Sequence, residues 1–151
     1  MKGKAAVFRG PGVPFEIREF PLPEVKPGAI LVRVRRANIC GSDIHQWKGG
    51  GARAALDRPL ITGHEMVGQV YELGAGVTND SAGQPLKVGD RITYSYFAPC
   101  GHCYQCLHGQ PHACPNSMIH RQLPIEEPPH FIGAFAEYYY VFPGNYVFKV
   151  P

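Results

Sequence analysis

The chain has 151 residues, enough for one ordinary domain and too few for two. Glycine (18) and proline (15) are abundant, and charged residues make up only 18%, which argues against a helical bundle and against disorder and favours short strands joined by tight turns. The net charge of +3 is modest and forms no block, so we expect no nucleic-acid partner.

Short strands dominate the predicted elements along the chain. In order they span Lys4–Arg9, Phe15–Phe20, Ala29–Ala37, Met66–Leu73, Arg91–Phe97, Phe135–Phe142 and Tyr146–Val150. Cys40–Lys48 is predicted to form one or two helical turns, and Gly49–Arg58 and Leu123–His130 are predicted loops. The arginines of the third strand, Arg33, Arg35 and Arg36, are interpreted as a solvated face. The pattern predicts a mainly β protein, a barrel or a sandwich.

The five cysteines divide into a group of four, between Cys100 and Cys114, and the separate Cys40. The N-terminal residues do not resemble a secretory leader, and no stretch reaches membrane-spanning length, so we expect a cytoplasmic protein without a membrane partner. In a reducing compartment, metal binding or catalysis explains cysteines better than disulfides do.

The group of four has the spacing C-x2-C-x2-C-x7-C, formed by Cys100, Cys103, Cys106 and Cys114. Four thiolates around one Zn²⁺ make a closed tetrahedral site, so the spacing predicts a structural zinc lobe over residues 97–118. The alternative is an iron–sulfur cluster, whose bacterial signature shares the first three cysteines and the Cys-Pro pair but has a shorter last gap. His102, His108 and His112 are surplus to four thiolates and are expected to be exposed.

A second set of metal-type ligands lies upstream. Cys40, His64 and Glu65 supply a thiolate, an imidazole and a carboxylate, the donor types of an open zinc site. Asp43 could accept the free N–H of a metal-bound His64. If Cys40–Lys48 is helical, Ser42 and His45 lie on one face and could transfer a proton. A nucleophilic dyad of Cys40 with a histidine is the alternative, and the neighbouring Glu65 favours the metal.

Two glycine-rich stretches match parts of a dinucleotide fingerprint, at residues 49–54 and 74–76. Pro59 and Pro85 interrupt the helix that such a fingerprint requires, so both stretches are interpreted as loops. The pair Glu126-Glu127 precedes two prolines and is interpreted as part of a solvated loop. These segments therefore add no catalytic residues to the prediction.

Taken in order, the motifs resemble a known family. Cys40-Gly-Ser-Asp-x-His, Gly63-His64-Glu65, Gly89-Asp90-Arg91-Ile92, the four-cysteine lobe and Phe135-Ala136-Glu137-Tyr138 are similar to the N-terminal catalytic domain of zinc-dependent medium-chain alcohol dehydrogenases. The resemblance covers essentially the whole chain, residues 1–151. It implies a GroES-like, partly open β-barrel with a few short helices and a zinc-binding lobe.

The resemblance also implies residue roles. Cys40 and His64 match catalytic zinc ligands, and Glu65 matches a carboxylate that coordinates zinc in some members and lies behind it in others. Ser42 and His45 match a proton relay, Asp43 matches the partner of the histidine, and the four lobe cysteines match structural zinc ligands.

The implied activity is oxidation of a small-molecule alcohol or polyol to an aldehyde or ketone, or the reverse, with NAD or NADP. The nucleotide-binding domain of the family is absent from these 151 residues, so we expect the isolated chain to be inactive and the full-length enzyme to be a homo-oligomer. The alternative is a stand-alone, metal-stabilised binding or oligomerisation module. Quinone oxidoreductases of the same superfamily lack both zinc sites and are disfavoured. Residues 49–58 and 119–130 match no motif.

Overall fold

A computed structural model describes residues 1–50 and 58–151 of the chain. Within these residues it contains eight strands and two short helices. The strands are β1 Lys2–Phe8, β2 Glu16–Pro21, β3 Ile30–Asn38, β4 Leu60–Ile61, β5 Glu65–Leu73, β6 Arg91–Tyr94, β7 Tyr138–Val141 and β8 Val147–Lys149. The helices are α1 Gly41–Trp47 and α2 Tyr104–Leu107, and single 3₁₀ turns cover Pro111–Ala113 and Ile119–Gln122. None of the described helices is long and apolar enough to cross a membrane.

The strands form two antiparallel sheets. One has the order β2-β1-β4, and the other has the order β7-β3-β5-β6-β8. A bridge between Ala5 and Ala136 joins them at one side, but the described strands do not close into a continuous cylinder. The prediction of a mainly β, partly open barrel is confirmed.

Alternating side chains at the start of β3 pack on both faces of the larger sheet. Leu31 of β3 packs in one hydrophobic cluster with Phe131 and Ile61, whereas its neighbour Val32 packs in a second cluster with Ile92. Successive strand residues point to opposite faces, so one strand can serve both clusters. The start of β3 is therefore packed on both sides, which anchors the strand that leads to Asn38 and Cys40.

Three predicted strands are shorter in the structure, among them Tyr146–Val150, which is observed as Val147–Lys149, and one strand was not predicted. The predicted strand Arg91–Phe97 ends at Tyr94, where the side chain of Asn145 donates to the carbonyls of Ser95 and Phe97 and replaces strand pairing. Residues 135–136 of the predicted strand Phe135–Phe142 bond to β1 and Thr62 instead of β3. The missed strand, Leu60–Ile61, has two residues, too few for a periodic signal.

The arginines of β3 lie on the solvent side, as interpreted, but not on one regular face. Arg33 pairs with Gln69 and Arg36 with Val67, and the register shifts between Val34 and Arg36. Arg35 is thus the additional residue of a β-bulge, which explains why two adjacent arginines can both be exposed.

The structure describes residues 119–130 but only the ends of the segment 49–58. Of the predicted loop Gly49–Arg58, residues 51–57 lie outside the described residues. Residues 119–130 begin with the 3₁₀ turn, and Leu123–His130 is a loop, as predicted. That loop packs inward, because Ile125 is fully buried and His130 stacks on Phe20 while its Nδ1 contacts the Ile125 carbonyl at 2.8 Å.

Candidate metal centres

Cys40 lies at the start of helix α1, where the sequence forms a capping box. The backbone N–H of Cys40 donates to the Asp43 carboxylate at 3.0 Å, and the Cys40 side chain faces the backbone of Asp43 in return. This arrangement occupies backbone donors that a helix start leaves free. The predicted helical turns are confirmed as Gly41–Trp47, and the cap fixes the Cys40 thiol and the Asp43 carboxylate relative to each other.

His64 is held in the turn between β4 and β5. Gly63 has a φ of +82°, and a Cβ at this position would lie 2.6 Å from the Phe135 ring, so both backbone conformation and packing require glycine. The Tyr94 hydroxyl donates to the His64 carbonyl at 3.2 Å, and the Tyr96 ring lies 5.0 Å from the imidazole. The imidazole therefore has a defined position although it lies outside the regular strands.

These two elements bring the upstream residues together. The Sγ of Cys40 lies 3.2 Å from Nε2 of His64, and the Nδ1 of that ring faces the Asp43 carboxylate at 3.6 Å, which is longer than a hydrogen bond. A carboxylate oxygen of Glu65 completes a group whose ligand atoms all lie within 4.8 Å of one another. A tetrahedral zinc ion with sulfur and nitrogen ligands would hold them about 3.5 Å apart, so these donors fit such an ion with a small shift. We call Cys40, His64 and Glu65 the open centre.

The proposed relay residues are placed differently from each other. The hydroxyl of Ser42 lies 2.9 Å from Cys40 Sγ, at the edge of the open centre. His45 is exposed one helical turn further on, and its ring packs over Gly50. Within the described part of the chain no direct hydrogen bond joins these two side chains. The structure thus brings Ser42 to the open centre, whereas His45 is exposed to solvent.

The four lobe cysteines also converge. Cys103 and Cys114 lie 3.8 Å apart and Cys114 and Cys100 lie 3.6 Å apart, measured between sulfurs, and all four sulfurs are within 4.8 Å of one another. Zinc–sulfur bonds of about 2.3 Å in a tetrahedron place sulfurs about 3.8 Å apart. The donor set therefore fits a closed zinc site, and we call residues 97–118 the cysteine lobe.

The thiols of the lobe differ in acidity. The backbone N–H of His102 lowers the pKa of Cys100 to about 6, whereas burial raises the pKa of Cys106 to about 12. Four adjacent thiolates repel one another, and a divalent cation is what allows all of them to be deprotonated together.

The lobe histidines lie at the surface, as expected for residues that are not needed beside four thiolate ligands. The rings of His102 and His108 contact the carbonyls of Cys100 and Tyr104 at 2.7 and 2.8 Å, and His112 is exposed. Their hydrogen bonds shape the turns around the cysteines.

The sequence patterns did not indicate three residues that lie near the open centre. Tyr94 and Tyr96 contact His64, and the Asn38 amide donates to Glu65 at 3.0 Å. Together with Arg36, His64 and Glu65, they line a cavity of about 510 Å³ beside the open centre. No sequence signal marks them, because each acts across a strand pair or a turn.

Comparisons with known proteins agree with this arrangement. The family model described as alcohol dehydrogenase GroES-like domain matches residues 26–151. L-threonine 3-dehydrogenase of Chelativorans sp. (strain BNC1) is 37% identical over 139 residues, which cover 89% of this chain and 36% of that protein.

Solved structures are similar over the same range. An alcohol dehydrogenase from Thermotoga maritima superimposes with a TM-score of 0.87 at 33% identity, covering 100% of this chain and 41% of that one. A Sinorhizobium meliloti 1021 protein solved bound to NADP gives a TM-score of 0.74 at 30% identity, covering 100% of this chain and 39% of that one. The chain thus spans about two fifths of the length of these relatives.

Proposed function

The chain belongs to the alcohol dehydrogenase GroES-like domain family, and from this we propose that residues 1–151 are the catalytic domain of a zinc-dependent, NAD(P)-dependent oxidoreductase. Its substrates would be an alcohol or polyol and the corresponding aldehyde or ketone. The observation that carries the proposal is the 3.2 Å approach of Cys40 Sγ to His64 Nε2, with a Glu65 oxygen in reach. Three protein ligands leave one position of a tetrahedral ion for substrate.

Zinc held at the open centre would supply a Lewis acid toward the substrate oxygen. Cys40, His64 and Glu65 would hold it. Asp43, whose side chain is only 9% exposed, faces Nδ1 of His64 and favours the tautomer that leaves Nε2 free to bind.

Ser42 and His45 would move the substrate proton. The Ser42 hydroxyl lies beside the open centre and can accept and donate hydrogen bonds at the same time. His45 is exposed and carries an imidazole, the side chain used most often for proton transfer, so it would exchange the proton with solvent. The two side chains are not hydrogen-bonded, so a water molecule or a cofactor hydroxyl would have to join them.

The cysteine lobe would hold a second zinc ion with a structural role. Its four sulfurs occupy every position of a tetrahedral site and leave none for substrate. The lobe would thus stabilise the fold without taking part in the reaction.

The nicotinamide that exchanges hydride with the substrate would be bound by a part of the protein outside these 151 residues. Support comes from the relative solved with NADP, of which this chain covers 39%. We also propose that the complete protein is a homo-oligomer. We also propose a cytoplasmic location, which the five free cysteines support because thiols persist in a reducing compartment.

The experiment counts zinc and measures alcohol-dependent reduction of NAD or NADP by the complete protein. We expect two zinc ions per native chain, and one zinc ion with no turnover in His64→Ala or Cys40→Ala. His112→Ala, which removes an exposed lobe imidazole, is the matched control and should keep both. One zinc ion per native chain would instead favour a metal-stabilised binding or oligomerisation module, and two in His64→Ala would refute the assignment of the open centre.

A further inference from the structure

Asn38 and Glu65 face each other at the place where β3 and β5 stop pairing. They are direct partners in the antiparallel register and form its last pair, two residues before Cys40 along the chain and directly after His64. Directly opposed residues project to the same side of a sheet with their Cβ atoms about 5 Å apart. The short Asn38 side chain therefore reaches Glu65 without distortion.

The contact between them has a defined direction. An ionised carboxylate only accepts hydrogen bonds, so the Asn38 amide nitrogen must be the donor, and it lies 3.0 Å from Oε2 of Glu65. This hydrogen bond restrains a carboxylate that has an oxygen within 4.8 Å of the ligand atoms of Cys40 and His64.

A competing partner lies on the same side of the sheet. Arg36 precedes Asn38 by two residues, pairs with Val67, and lines the same cavity as Asn38 and Glu65. Its guanidinium group also bonds to the Arg35 carbonyl, but a long side chain at such a diagonal position can reach a carboxylate. Without the Asn38 amide, Glu65 is free to turn toward this cation and away from the ligands.

From this geometry we propose that Asn38 is a positioning residue that holds Glu65 as a ligand of the metal in the open centre. The inference rests on the proposed function, because it requires that the open centre binds a metal. It explains why an exposed asparagine lies two residues before the cysteine and directly opposite the residue that follows the histidine.

The test uses Co²⁺, whose visible absorption reports its ligands. It is titrated into the chain with zinc already in the cysteine lobe, and Cys40→Ala provides the blank. We expect Asn38→Ala to bind Co²⁺ at the open centre about 10- to 100-fold more weakly, as is usual for loss of a residue that orients a ligand, and with a changed spectrum. Gln69→Ala, which removes another cross-strand amide between β3 and β5, is the matched control and should keep the native affinity and spectrum.

A double variant separates positioning from a general structural role. If Asn38 acts through Glu65, adding Asn38→Ala to Glu65→Ala should weaken binding no further. Losses that multiply in the double variant, or native affinity in Asn38→Ala, would overturn the inference while leaving the proposed function intact. A native chain that binds no more Co²⁺ than Cys40→Ala would overturn both.

Discussion

The cysteine lobe and the open centre each bring metal-type ligands together, but they are built in opposite ways. The outermost lobe sulfurs, of Cys100 and Cys114, are 14 residues apart, and only a four-residue helix and a 3₁₀ turn lie between them. Cys40 and His64 are 24 residues apart and are brought together by the pairing of β3 with β5. The geometry of the cysteine lobe therefore depends on the spacing of its cysteines along the chain. The geometry of the open centre depends on how the sheet pairs distant segments.

The two regions also differ in what holds them together. In the lobe Cys114 is buried, but Tyr104 and Leu107 are each 71% exposed, so the lobe has almost no hydrophobic core of its own. Around the open centre, Met66 and Tyr94 belong to one of the two main clusters. A metal would therefore replace a core in the lobe, and at the open centre it would use a frame that exists without it.

The largest expected effect on stability comes from breaking the lobe. Cys103→Ala removes one of four ligands, and loss of a structural metal is among the few changes that cost more than about 4 kcal/mol. For a chain of this size that corresponds to a fall in melting temperature of roughly 10 °C. Calorimetry with zinc analysis checks it, and Cys40→Ala, which should melt within a few degrees of native, is the comparison. Equal melting of Cys103→Ala and native chains would contradict the structural role.

A smaller effect is expected when the glycine of each region is changed. Gly63 and Gly101 have similar positive φ angles, +82° and +76°, but a Cβ would strike Phe135 at Gly63 and meet nothing within 4 Å at Gly101. Gly101→Ala should cost about 1 kcal/mol from backbone strain alone, and Gly63→Ala about 2–4 kcal/mol because strain and overpacking combine.

Denaturant unfolding of both variants measures this difference. Zinc analysis should show that Gly63→Ala loses zinc from the open centre before it loses zinc from the cysteine lobe. Equal losses in the two variants would mean that the Phe135 contact does not restrain the turn.

The smallest effect concerns the sheet that carries the open centre. Backbone N–H groups, that of Lys149 first, lower the pKa of Asp80, and the Lys149 ammonium lowers the pKa of Asp90. Asp80, in the loop that precedes β6, and Asp90, directly before β6, thereby both hold Lys149 of β8. A lowered folded-state pKa adds stability that is complete above the unfolded value of 3.8 and is lost as the pH falls through the folded value.

We therefore expect the melting temperature to fall below about pH 4, and the fall to be shallower in Asp80→Asn. Glu72→Gln, on the exposed side of β5, is the control and should follow the native curve. An unchanged pH dependence in Asp80→Asn would show that this carboxylate does not anchor β8.

Much of the fold was predictable because it follows from local patterns. The alternation in Ala29–Ala37 predicted β3 to within one residue at each end, and the Cys40–Lys48 stretch predicted α1. The ends of β6 and β7 were not predictable, since Asn145 and Thr62 determine them from distant parts of the chain.

For the candidate sites, residue types and their spacing in the sequence were enough to predict most of the ligands. The four lobe cysteines could be assigned to one site from the sequence, because two-residue gaps bring thiolates together within single turns. The chemistry of Cys40, His64 and Glu65 could also be proposed from residue type alone. Their distances, the hydrogen bond of Asn38 to Glu65 and the contacts of Tyr94 and Tyr96 were decided only by the tertiary structure. Strand register and side-chain packing join residues that are far apart in sequence, and no local pattern encodes which of them meet.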